Sequence, residues 1–89
     1  MITDPVHDAI CAAVTRFSRD LERRLLENAD KKGMSWRSLT FNDLILKYQQ
    51  EQTDLMKSLR DTKHRTNFEM KRDILDVAAL CLMLHELFQ

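Results

Sequence analysis

A single glycine, Gly33, and a single proline, Pro5, punctuate all 89 residues. β-Sandwiches and barrels need turn residues every few positions, so this scarcity excludes an all-β fold. It also excludes glycine-rich phosphate loops. One glycine writes neither a GxGxxG turn nor a Walker loop. What remains is a chain of long helices in one domain spanning 1–89.

Three helices account for nearly all of it. The first opens at Pro5 behind Asp4, a suitable N-cap, and runs to about Asn28. Ile10, Val14, Phe17, Leu21 and Leu25 recur at steps of three and four, which makes one apolar stripe. Arg16, Arg19, Arg23 and Arg24 decorate the other faces, and Lys31 and Lys32 precede the stop at Gly33. Thr40-Phe41-Asn42-Asp43 reads as a capping box with Asp in the Glu position, so a second helix begins near Phe41 and ends near Arg60. It carries Leu44, Ile45, Tyr48, Leu55, Met56 and Leu59 on a broad face. Thr66-Asn67-Phe68-Glu69 is a second capping box, and a third helix runs from Asn67 to the C-terminus. Six polar residues separate helices two and three, which predicts an antiparallel hairpin.

Size and pattern together predict self-association. Every side chain from Val77 to Leu84 is apolar, and a helix apolar all round requires burial on all sides. Two partner helices do not easily supply it. A chain of 10.5 kDa is also marginal as a lone domain. The expected assembly is a homo-oligomeric helical bundle, a dimer or a tetramer.

Charge and cysteine narrow the partners. Fourteen basic groups balance fourteen acidic ones. With no basic stripe, a nucleic-acid polymer is not expected as a partner. The longest apolar run is too short to cross a bilayer, and the N-terminus lacks a basic leader, so no membrane partner is expected. Cys11 and Cys81 have no CxxC spacing and each lies among apolar residues. Both are expected to be buried thiols in a reducing, cytoplasmic setting. The four serines and three histidines show no local signature of nucleophilic catalysis.

Four acids stand out. Glu51 and Asp54 are three apart on helix two; Asp73 and Asp76 are three apart on helix three. Such pairs share a helix face. With the turn centred between Lys63 and His64, residues whose numbers sum to about 127 lie level across the hairpin. That places Glu51 beside Asp76 and Asp54 beside Asp73. Glu51 borders the apolar stripe, whereas Asp54 lies further out. Four converging carboxylates repel unless a cation neutralises them. Oxygen ligands without histidine or thiol suit Mg²⁺ or Mn²⁺. The competing reading is an acidic surface that pairs with Lys47, Lys57, Lys71 and Arg72. Glu69 is accounted for by its capping box.

At these residues the chain resembles the all-α nucleoside triphosphate pyrophosphohydrolases of the MazG-like superfamily, whose mark is EExxE, a spacer, then ExxD. Here Gln50-Glu51-Gln52-Thr53-Asp54-Leu55 precedes Asp73-Ile74-Leu75-Asp76-Val77-Ala78. Upstream, Leu25, Asn28, Lys32, Gly33 and Trp36 add to the likeness, which spans roughly residues 17–88. The resemblance implies Mg²⁺-dependent hydrolysis of a nucleoside triphosphate to a monophosphate and pyrophosphate. It implies metal ligation by Glu51, Asp54, Asp73 and Asp76, with Glu51 also catalytic. Lys31, Lys32 and Arg37 then become candidate phosphate contacts, and Trp36 a candidate base-stacking group. Three departures weaken the pattern. Gln50 replaces the leading Glu, and Asp54 and Asp73 replace Glu, each shortening an arm by a methylene. The alternative is a non-catalytic, homo-oligomeric helical interaction module that keeps the scaffold and a degenerate acidic site.

Overall fold

A computed structural model of the chain describes residues 4–32 and 39–89. The fold is all-α. Helix α1 spans Pro5–Lys32, α2 spans Phe41–Arg60 and α3 spans Asn67–Leu87, with a 3-10 turn at Thr62–His64. Helix α1 runs one turn beyond the expected end at Asn28. Nothing in Ala29-Asp30-Lys31-Lys32 opposes helix, so the helix continues to the residue before Gly33.

The helix starts follow from local chemistry. Asp4 Oδ1 accepts from the Val6 amide at 3.0 Å, which satisfies one of the free N–H groups of the first turn. Both capping boxes close in both directions. The Thr40 hydroxyl accepts from the Asp43 amide at 3.2 Å, while the Thr40 amide donates to Asp43 at 3.1 Å. Thr66 and Glu69 repeat this at 3.1 and 3.4 Å. Each α2 and α3 terminus is thereby fixed without tertiary help.

Helices α2 and α3 pack as an antiparallel hairpin. Phe41, opening α2, meets Phe88, just past α3, edge to face at 6.2 Å between ring centroids. This contact closes the open end of the hairpin. The buried core is small: Leu44 from α2 and Ala79 and Leu80 from α3, with Ser58 the one buried polar residue among those described. The run Val77–Leu84 is not covered all round. Ala79 and Leu80 are buried, Cys81 is exposed, and the others are half-buried. Helices α1 and α2 cover two sides of α3 and leave a third open.

Helix α1 is used unevenly. Leu21 and Leu25 are half-buried on the α3 side, but every residue from Asp4 to Arg19 is exposed. This overturns the expectation of buried thiols. Cys11 sits on that exposed half and Cys81 on the outer side of α3, and both are free and exposed. An apolar neighbourhood in sequence is not burial when no other described element covers the stretch of helix that carries it. The radius of gyration is 15.4 Å, against about 12 Å for a compact chain of this length.

Candidate functional site

Three acids of α3, Glu69, Asp73 and Asp76, fall into two separate ion-paired centres. The first is built at the loop end. Arg65, Glu69 and Asp73 follow one another at four-residue steps and share a face of α3 and its entry. Arg65 Nη2 donates to Asp73 Oδ2 at 2.7 Å and to Ser58 Oγ at 2.6 Å; Nε donates to Ser58 Oγ at 3.2 Å; Nη1 donates to Glu69 Oε2 at 3.2 Å. The Ser58 hydroxyl also donates to Asp73 Oδ2. Asp73 is only 12% exposed, so one guanidinium and one buried hydroxyl serve a carboxylate with little access to water.

The second centre joins α1 to α3. Arg24 engages Asp76 through two parallel hydrogen bonds, Nε to Oδ1 at 2.7 Å and Nη2 to Oδ2 at 3.2 Å. This fork-on-carboxylate geometry fixes orientation as well as charge. Glu27 lies 3.6 Å from Arg24 Nη1 on the same helix. The hydrogen bond to Asp76 is the main reason that the guanidinium holds its proton more tightly than usual; burial opposes it, and the charges of Asp76 and Glu27 add to it.

The expected level pairing across the hairpin is displaced. Asp73 meets Ser58, four residues nearer the loop than Asp54, its expected neighbour. The cause lies in side-chain direction. Each Cα–Cβ bond tilts toward its own helix N-terminus. On α2 that direction leads away from the loop, and on α3 it leads toward it. Acids placed at equal height therefore lean apart. Asp54 is exposed and has no hydrogen bond or ion pair among the described residues. Glu51 is half-buried on α2. Among the described residues, no three carboxylate, imidazole or thiol groups come together in an arrangement that could hold a metal ion. Asp73 and Asp76 are ion-paired, with Arg65 and Arg24 as their partners in place of Lys47, Lys57, Lys71 and Arg72.

Of the candidate substrate contacts, Lys31 and Lys32 end α1 with side chains outside the described part, and Trp36 and Arg37 lie outside the described residues. A different basic surface is present. A groove of about 250 Å³ runs between α1 and α3. Arg23, Arg24, Lys71 and Arg72 line it together with Asp20, Glu27, Leu75 and Phe68, whose side chain is largely exposed. Arg24 borders this groove and binds Asp76, so the groove adjoins the second acidic centre.

Sequence reasoning missed Ser58, Arg65 and Arg24. Signals exist for the two arginines. Arg65 stands one helical step before Glu69 and two before Asp73. Arg24 lies between Leu21 and Leu25, on the one stretch of the apolar stripe that meets α3. A cation on a buried-side stripe calls for an acid across the interface.

No helix among the described residues is long and apolar enough to cross a membrane. Comparison of the chain with protein-family models, curated proteins and solved structures gives no match.

Proposed function

We propose that this protein is a non-catalytic helical interaction module, in which the acidic positions of a MazG-like hairpin serve structure. One observation carries the reading: Asp73 and Asp76 are each neutralised by an arginine within the chain, at 2.7 Å in both cases. Their charge balance needs no metal ion. The motif departures agree with this. Gln50 lacks the leading carboxylate, and the shorter Asp54 side chain sits in water on α2. In this reading the two arginines are fasteners. Arg65 secures the loop end of the hairpin, and Arg24 secures α1 to α3.

The groove supports a second reading, the Mg²⁺- or Mn²⁺-dependent nucleoside triphosphate pyrophosphohydrolase that the motif resemblance implies. Arg23, Lys71 and Arg72 give cationic contacts suited to phosphate, and Phe68 offers a ring face to a base. For the acids to take part, Arg24 and Arg65 have to release Asp76 and Asp73. That step costs the paired geometry described above.

Turnover decides between the two. A panel of ribo- and deoxyribonucleoside triphosphates is incubated with Mg²⁺ or Mn²⁺, and pyrophosphate is measured. The module reading expects no release above the protein-free rate. Stoichiometric monophosphate and pyrophosphate, abolished by EDTA and by Asp76→Asn, establishes the enzyme reading instead.

A further inference from the structure

Two short ridges border the groove between α1 and α3. Asp20, Arg23, Arg24 and Glu27 recur on α1 at the same spacing as Phe68, Lys71, Arg72 and Leu75 on α3. Each set falls within about 100° of one helix face and spans about 10 Å of its axis. Two cations stand at the centre of each ridge. Acids flank them on α1, and apolar side chains flank them on α3.

The charges of the groove do not cancel. Arg24 is taken by Asp76 and Glu27. Arg23, Lys71 and Arg72 have no ion pair among the described residues, and Asp20 is the acid of the lining left to answer them. The whole chain carries equal numbers of basic and acidic groups, so this local surplus is a matter of placement. Beside the cations, Phe68 is 74% exposed and Leu75 is half-buried. A ligand that brings negative charge and an apolar group together complements both features.

Size and edges select the kind of ligand. A volume of about 250 Å³ lies below the about 300–1,000 Å³ of pockets that bury most of a small molecule. A length of about 10 Å admits about three residues of extended peptide or two turns of helix. A phosphate polymer would have to pass Asp20 and Glu27, one turn to either side of the α1 cations, and like charges oppose it there. A peptide carries its charges where its sequence puts them. Its carboxylates can sit at the centre, with neutral side chains against the two acids.

We infer that this groove docks an acidic peptide segment of a partner protein. Its carboxylates lie on Arg23, Lys71 and Arg72, and one apolar side chain lies between Phe68 and Leu75. The inference rests on the interaction-module reading and names its partner. A guanidinium fork takes a carboxylate through two parallel hydrogen bonds, as Arg24 takes Asp76 within the chain.

The test is fluorescence anisotropy of the full chain with a labelled glutamate-rich peptide that carries a central pair of leucines. Wild type is expected to bind it with a Kd below about 100 µM, and more weakly as ionic strength rises. The same peptide with glutamine for every glutamate is expected to bind at least about tenfold more weakly. Lys71→Glu and Arg23→Glu, one from each ridge, are each expected to weaken binding at least about tenfold. Phe68→Ala is expected to weaken it without changing the salt dependence. Arg16→Glu, on α1 beyond the groove, is expected to leave it unchanged. Arg23 and Lys71 are exposed and unpaired among the described residues, so circular dichroism should show retained helix in both variants. No binding by wild type at about 1 mM overturns the inference. So does equal binding of the glutamine peptide, or wild-type binding by both helical charge-reversal variants. Inorganic triphosphate or a thymidylate oligonucleotide that displaces the label at lower concentration than unlabelled peptide also overturns it, since the groove then prefers phosphate. Pyrophosphate release from a nucleoside triphosphate, with peptide binding intact, would refute the module reading and leave the groove standing. Absence of both turnover and peptide binding overturns this inference alone.

Discussion

Neutralising the acids of the hairpin separates an ion-paired structure from a metal site by the sign of the effect alone. Consider Asp76→Asn and Asp73→Asn in metal-free buffer. If the carboxylates faced one another, removing one charge would relieve repulsion, and the melting temperature would hold or rise. The structure requires the opposite. Asp76 accepts two hydrogen bonds from Arg24, and the two side chains are 19 and 22% exposed. Hydrogen bonds to charged groups contribute about 1.5–3 kcal/mol, and breaking a fully buried pair costs about 3–5. Partial exposure and the amide oxygen that Asn retains bring the expected loss to about 2 kcal/mol for Asp76→Asn. Arg65 is more exposed, at 32%, so Asp73→Asn is expected to cost about 1–2 kcal/mol. In a chain of this size 1 kcal/mol shifts the midpoint by about 4–8 °C, so Asp76→Asn melts roughly 10 °C lower. Both variants and wild type are melted in EDTA and again in Mg²⁺, at one protein concentration because association also shifts the midpoint. The reasoning fails if either variant melts at or above wild type in EDTA while Mg²⁺ stabilises the wild type.

Further outcomes follow from single features. Replacing both partners, Arg24→Met with Asp76→Leu, is expected to be far milder than Asp76→Asn, because no unpaired charge remains; urea midpoints of the single and double variants measure this. Thr66→Ala removes the reciprocal cap of α3 and is expected to cost about 1 kcal/mol in urea unfolding. Leu44→Ala empties the most buried side chain of the core and is expected to cost about 2–5 kcal/mol by the same measurement. At Asp43, the Thr40 amide donates to the carboxylate and holds its pKa below the ordinary 3.8. A depressed folded value adds stability above the unfolded pKa and loses it as pH falls through the folded one. Acid titration is therefore expected to fray the start of α2, seen as loss of amide-exchange protection at Asp43 and Leu44. In Asp43→Asn that acid-dependent loss disappears.

The helices were legible because their starts are written in short, self-sufficient motifs. Asp4-Pro5, Thr40-Asp43 and Thr66-Glu69 place the three N-termini without reference to anything distant. The hairpin was legible for the same reason, since six polar residues between two capped helices leave little alternative. The acidic centres were not. Level pairing treats each residue as a point on its helix axis, and it fails because Asp73 and Asp54 lean in opposite directions along the hairpin. Ser58, which meets Asp73, has no charge to attract notice. Arg24 looked like one member of a solvated run. The helical period sets it at the edge of the apolar stripe and Arg23 off it, but only the packing of α1 on α3 brings Asp76 to it. The thiols went wrong by the same kind of omission: periodicity shows which face of α1 is apolar, but not how far along the helix a neighbour exists to cover it.

The connection from α2 to α3 also orders events in time. Only Asp61–Thr66 separate the two helices, so the hairpin closes a very short loop and its ends are brought together at little entropic cost. Such local contacts form on the microsecond scale. Helix α1 must then find α3 across a far longer stretch of chain, with Arg24 meeting Asp76 fifty-two positions away. Its N-terminal half, Asp4 to Arg19, is exposed among the described residues. Refolding is thus expected to show a fast phase from the hairpin, followed by a slower one as α1 docks on α3, which Arg24→Met slows further.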